Sequence, residues 1–216
     1  MTTVWGSSAT DALLTGTQTP ILDGSVIQRI SKLKDPVDAQ DSLGARALTA
    51  QCVASVAGVP AHSVHLRQLC ASCGSDDHGP PKVVGIPSVT VSWSHSRGHV
   101  AAAASSGAVA IDVERSRDVV LRQVLTNDEW DWVSGHRDQA RAFARLWCRK
   151  ECMVKLGHTS LDRLTDVSFV TCGILSPHAS GWIVTERSMC DAVVVLLSRD
   201  YPVRITLPLD AAKRGT

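Results

Sequence analysis

Three carboxylates and a lysine fall at spacings that suit phosphate chemistry. Asp112 and Glu114 stand in the run Ala110-Ile111-Asp112-Val113-Glu114, and Glu151 and Lys155 in Trp147-Cys148-Arg149-Lys150-Glu151-Cys152-Met153-Val154-Lys155. The first run reads as a strand, which puts residues i and i+2 on one face. The second reads as a helix, which stacks residues i and i+4. If that helix packs on that strand, the four side chains converge where a hard divalent cation and a phosphate-bearing substrate would be at home. The plainer reading is a solvated strand end beside an exposed Glu151–Lys155 pair worth about 0.2–0.5 kcal/mol. Against it, the apolar run Ala108-Val109-Ala110-Ile111 predicts burial, and two like charges beside a buried strand are costly without a cation.

Other residue groups carry weaker signals. Ser92-Trp93-Ser94-His95-Ser96 pairs hydroxyls with an imidazole, but neighbours on a strand face opposite ways and no third partner is evident. Phosphate binding by Ser94 and His95 fits better than a hydrolase. Cys70-x-x-Cys73 with His78 suggests zinc, although a structural site wants four ligands and only Asp76 or Asp77 remains to finish this one. Arg137, Arg141, Arg145 and Arg149 repeat every four residues, a basic ridge that reads first as a solvated face.

Elements must position these groups. Helical spacing runs over 22–33 and more strongly over 38–57, where Leu43, Ala47, Leu48, Cys52, Val53 and Val56 share a face that Gly58 ends. The Gly-, Pro- and Asp-rich stretch 70–87 reads as loop. Three short strands follow at 88–94, 100–105 and 107–114, joined by Ser96-Arg97-Gly98 and Ser105-Ser106-Gly107, as an antiparallel meander. Residues 118–134 and 137–156 read as helices, the second turning Phe143, Leu146, Trp147 and Val154 inward. Strand-like runs at 166–171, 181–185 and 192–198 complete the chain. The class is α+β, in two lobes, 1–106 and 107–216.

Bulk properties narrow the partners. The 216 residues are 44% hydrophobic and 20% charged, enough for a real core, and include six Trp. A net charge of +1 provides no global field toward nucleic acid or an anionic membrane. No apolar stretch is long enough to span a bilayer. The opening Met1-Thr2-Thr3-Val4-Trp5 lacks the basic-then-apolar pattern of a signal peptide, and seven cysteines suit a reducing compartment, so a cytoplasmic protein is expected.

Taken in order, Ser94-His95, Ile111-Asp112-Val113-Glu114 and Trp147-x-x-Lys150-Glu151-x-x-x-Lys155 resemble the 4′-phosphopantetheinyl transferases of the larger single-chain, Sfp-like bacterial type. The stretch Cys70 to Pro81 adds to the resemblance, which spans roughly 25–200. It implies two similar α+β lobes related by a pseudo-twofold, with the active site between them. It implies transfer of the phosphopantetheine arm of coenzyme A to a serine of an acyl or peptidyl carrier protein, releasing 3′,5′-ADP. Mg²⁺ would be the cofactor, held by Asp112, Glu114 and Glu151. Glu151 would also take the serine proton, and Lys155, with help from Lys150, would hold the pyrophosphate. Ser94 and His95 would bind coenzyme A phosphates, and Ser42, Arg46 and, more loosely, Arg29 would approach the 3′-phosphate. The chain departs from the family at Pro80-Pro81-Lys82, where a basic residue normally precedes one proline, so Lys82 becomes the candidate there. Ala110 replaces a glycine, and Cys148 and Cys152 flank Lys150-Glu151, which makes inhibition by thiol alkylation at Cys152 an expectation. Arg141 and Arg145 would steer an acidic carrier. A monomer is expected, since two lobes complete one site. A metal-dependent nucleotide phosphohydrolase and a zinc-stabilised binding module on Cys70, Cys73 and His78 are the rival readings.

Overall fold

The structure, a computed structural model, describes residues 2–14, 20–70, 73–75, 79–116, 119–179 and 181–205. The chain runs β1 (Thr3–Ala9), α1 (Thr10–Leu14), α2 (Gly24–Ser31), α3 (Pro36–Ala57), β2 (Leu66–Gln68), β3 (Pro81–Val83), β4 (Thr90–Ser96), β5 (His99–Ser105) and β6 (Val109–Arg115). It continues through α4 (Asn127–Ser134), α5 (Gln139–Lys155), β7 (Val170–Thr171), β8 (Ile174–Leu175), β9 (His178–Ala179), β10 (Trp182–Ser188), β11 (Ala192–Ser198) and β12 (Val203–Arg204). The α+β class stands. No described helix is long and apolar enough to cross a membrane.

Local chemistry sets the long helices. Asp35 caps α3 by accepting a hydrogen bond from the Val37 amide, Pro36 occupies the first turn, and Gly58 ends the helix at φ 69°. Asp138 caps α5 through the Arg141 amide. Thr126 and Glu129 form a reciprocal capping box on α4.

Two main sheets result, ordered β12-β1-β5-β4-β3-β2 and β6-β11-β10-β9, and β7 and β8 form a separate two-stranded sheet. Helix α3 packs on the first through Leu48, Cys52 and Val53 against Val100, Ala102 and Ala104. Helix α5 packs on the second through Leu146, Cys148 and Cys152 against Val193, Val195 and Leu197. A third apolar cluster, with Trp5, Ala101, Ala103, Ile111, Val113, Val194 and Leu196, joins the remaining sheet faces. Strand β5 is therefore covered on both sides, and its run of buried alanines lets helix and sheet approach closely.

Several expectations change. Strand β6 does not extend the β4–β5 hairpin as a meander. It leaves for the second sheet and pairs antiparallel with β11. The physical reason is its face of Val109, Ile111 and Val113, which needs the inter-sheet core. Thr3–Ala9, unassigned by sequence, is a strand between β5 and β12. The stretch 70–87 is not all loop, because β3 lies within it. The helix expected from 118 begins at Asn127, after a short 3₁₀ turn at Arg122–Val124. Beyond residue 107 the chain is not confined to one sheet: β12 returns to pair in parallel with β1.

Candidate active site

Alternation along β6 sends Ile111 and Val113 into the inter-sheet core and Asp112 and Glu114 to the other face, toward α5. Asp112 is 3% exposed. Its Oδ1 accepts hydrogen bonds from Ser94 Oγ at 2.7 Å and from the Lys155 ammonium at 2.7 Å. Its Oδ2 is buried and has no hydrogen-bond partner. Glu114 accepts from Ser96 Oγ at 2.9 Å. Lys155, at the end of α5, also donates to the Ile111 carbonyl at 2.8 Å and the Trp93 carbonyl at 3.4 Å, so it ties β4 and β6 together.

Glu151 completes the acidic group. Burial raises its carboxyl above the usual range, Asp112 and Glu114 push the same way, and Lys155 opposes them. Burial works against the Lys155 charge, but the Asp112 carboxylate outweighs it and holds the ammonium above the ordinary lysine value. Among the described residues no three His, Cys, Asp or Glu side chains close tightly enough to cage a metal as they stand. A Mg²⁺ ion needs less than a cage, since it keeps several waters and takes one or two carboxylates. The orphaned Asp112 Oδ2 is a buried anionic atom that lacks such a partner, so the donor set fits the cation.

Beside this lies a cleft of about 570 Å³ lined by Arg29, Ser42, Arg46, Trp93, His95 and Glu114, among others. Arg46 is 4% exposed, donates to the Ser42 carbonyl and hydroxyl at 2.9 and 2.7 Å, and lies over the Trp93 ring. Arg46 and Arg29 both donate to the one Gln68 Oε1, at 2.9 and 2.8 Å. Burial, and then the like charge of Arg29, pull the Arg46 pKa down to about 10. Two guanidiniums held this close favour an anion in the cleft. His95 lines the same cleft. Burial pulls its imidazole below the usual value, Arg46 and Lys155 add to that, and Asp41 and Asp38 oppose it. Gln68 carried no sequence signal, because its role appears only when α2, α3 and β2 meet. On its other side Glu114 borders an apolar groove of about 200 Å³ with Val119, Leu121, Phe143 and Trp147.

The remaining expected residues lie elsewhere. Lys82 is exposed and lines a separate cleft with Lys155, Pro80 and Pro81, apart from the Arg29–Arg46 set. Ser94 spends its hydroxyl on Asp112. Lys150 is not at a phosphate site. It is fully buried on the far side of α5, pairs with Glu129 at 2.9 Å, and donates to the Leu164 and Val167 carbonyls at 2.6 Å each. Its three protons are therefore taken.

The arginine series is not a solvated ridge. Arg137 precedes α5. Arg141 donates to the Met189 carbonyl at 2.9 Å. Arg145 and the 5%-exposed Arg149 clamp Glu186 of β10 at 2.6 and 3.0 Å. With these partners the steering role offered to Arg141 and Arg145 is not retained. Cys148 and Cys152 are buried and donate to the Val193 and Val195 carbonyls, and burial pushes both thiols well up, which removes the expected alkylation at Cys152. Cys70 and Cys73 form no disulfide among the described residues, while Asp76, Asp77 and His78 lie outside the described residues.

The sequence model of the 4′-phosphopantetheinyl transferase superfamily matches residues 108–206, a transferase assignment for that segment. The family takes coenzyme A as substrate and typically a divalent metal. A search of curated proteins finds no match. The matched segment contains Asp112, Glu114, Glu151 and Lys155, while Arg29, Ser42, Arg46, Ser94 and His95 precede it.

Proposed function

We propose that this chain transfers the 4′-phosphopantetheine arm of coenzyme A to a serine hydroxyl of an apo acyl or peptidyl carrier protein. The observation that carries the reading is the gathering of Asp112, Glu114, Glu151 and Lys155 beside a cleft whose walls hold two convergent arginines. Arg46, Arg29 and Ser42 take the 3′-phosphate end, and His95 reaches the pyrophosphate. The pantetheine chain, largely uncharged, leaves past Glu114 along the groove of Phe143 and Trp147. Asp112, Glu114 and Glu151 would hold Mg²⁺, which would supply positive charge to offset that of the leaving pyrophosphate oxygen.

The carrier serine oxygen attacks the phosphorus that bears the pantetheine arm. The bond from that phosphorus to the bridging oxygen breaks, and 3′,5′-ADP leaves with the electron pair. Glu151 accepts the serine proton. Lys155, already charged and anchored, stands where it can follow the negative charge.

The test is to incubate the protein with coenzyme A, Mg²⁺ and a panel of apo carriers, and to weigh the carriers by mass spectrometry. A mass increase equal to the arm, lost in Asp112→Asn, is expected. No increase on any acyl or peptidyl carrier overturns the reading. Phosphate or pyrophosphate released from nucleotides without a carrier would instead support a phosphohydrolase.

A further inference from the structure

Strand β6 is an edge strand of its sheet, and among the described residues no strand pairs with its outer side. Three serines of β4 occupy that side instead. They stand at alternate positions, so they share one face of the strand. Ser92 Oγ accepts from the Ile111 amide at 3.1 Å. Ser94 Oγ donates to Asp112 Oδ1 at 2.7 Å. Ser96 is 6% exposed. Its Oγ accepts from the Arg115 amide at 3.3 Å and donates to a Glu114 carboxylate oxygen at 2.9 Å. The chain thus replaces a strand ladder with a row of hydroxyls, two of which end on carboxylates.

We infer that Ser94 and Ser96 are positioning residues: they fix the rotamers of Asp112 and Glu114 so that the two carboxylates face one cation. This rests on the reading that those carboxylates hold a metal. The argument is directional. An ionised carboxylate only accepts, so each hydroxyl must spend its single proton on it. Ser96 has an amide on its lone pair, which leaves the proton for Glu114. On Asp112, Ser94 and Lys155 both occupy Oδ1, which leaves Oδ2 buried and unpartnered. One oxygen is anchored and the other is open, as a ligand oriented by its neighbours should be. Ser92 serves as an internal comparison, because it holds the same strand edge but touches no carboxylate.

The experiment compares wild type with Ser92→Ala, Ser94→Ala, Ser94→Thr and Ser96→Ala. Mn²⁺ affinity is read by electron paramagnetic resonance. Coenzyme A affinity is read by calorimetry in chelator, and folding by thermal melting. Ser94→Ala and Ser96→Ala are expected to weaken Mn²⁺ binding by about 10-fold or more, the usual effect of removing a ligand's own hydrogen-bond partner. Coenzyme A affinity without metal should hold. Ser94→Thr should restore Mn²⁺ binding, and Ser92→Ala should lower the melting temperature while leaving Mn²⁺ affinity at the wild-type value. The inference is overturned if both alanine variants bind Mn²⁺ like wild type. It is equally overturned if Ser92→Ala costs as much Mn²⁺ affinity, which would make the row a plain structural edge, or if metal-free coenzyme A affinity falls in parallel. A wild-type protein that binds no Mn²⁺ overturns the metal reading itself, and this shows before any variant is made.

Discussion

Replacing Lys150 by Met separates a structural lysine from a phosphate ligand. Its ammonium and the Glu129 carboxylate are 2.9 Å apart with neither side chain exposed. Glu129 also accepts from the Thr126 and Phe169 amides, each at 3.0 Å, so it cannot swing out to water without uncapping α4. Lys150→Met leaves that carboxylate buried without its counter-charge and strips two carbonyls of their donor. Removing one partner of a buried pair costs about 3–5 kcal/mol. At about 2–4 °C per kcal/mol for a chain of this size, melting should fall by about 6–20 °C. Below that lowered transition, coenzyme A affinity should stay at the wild-type value. The double variant Glu129→Leu/Lys150→Met should recover part of the loss, because no unpaired charge remains, though four backbone groups still lack partners. The assay is circular dichroism on heating, with calorimetric titration of coenzyme A at low temperature. A variant that melts with the wild type but loses coenzyme A affinity would refute the reasoning and return Lys150 to the phosphate site.

Three other outcomes follow from the geometry. Brief alkylation of the native protein should label the exposed Cys73, Cys172 and Cys190 and spare Cys52, Cys148 and Cys152, as read by peptide mass spectrometry; early labelling of Cys152 would contradict its burial. Glu186→Gln removes the carboxylate that Arg145 and the buried Arg149 share, and should cost about 1.5–3 kcal/mol by chemical denaturation. An unchanged midpoint there would mean that the ridge is solvated after all. Glu151 has a folded pKa above its unfolded value of 4.5, so in chelator its contribution to stability is full below that value and is lost as pH rises through the folded one. Glu151→Gln should therefore be more stable than wild type at neutral pH without metal, and the absence of any such gain would show that the carboxylate is not strained.

What the sequence exposes is which residues share the face of an element. It does not expose what that face meets. Period-two spacing was enough to put Asp112 and Glu114 together, and i,i+4 spacing enough for Glu151 and Lys155, because both relations are local. The same local logic fails for Lys150, one residue from Glu151. Its partner sits on α4, and only the packing of α4 against α5 makes the ammonium a core group. It fails for the arginine series too, where a repeat of four looks solvated until β10 supplies Glu186. Strand β6 fails differently. Ser105-Ser106-Gly107 is good hairpin chemistry, yet the strand turns away because Ile111 and Val113 gain more from the inter-sheet core than from extending β5. Ser92, Ser94 and Ser96 then look like the wet side of a strand, when they line the edge that β6 left unpaired. A polar residue at period two on one strand and a carboxylate at period two on the next can be either two solvated faces or one interlocked row. Burial decides between them, and burial belongs to the assembled sheets.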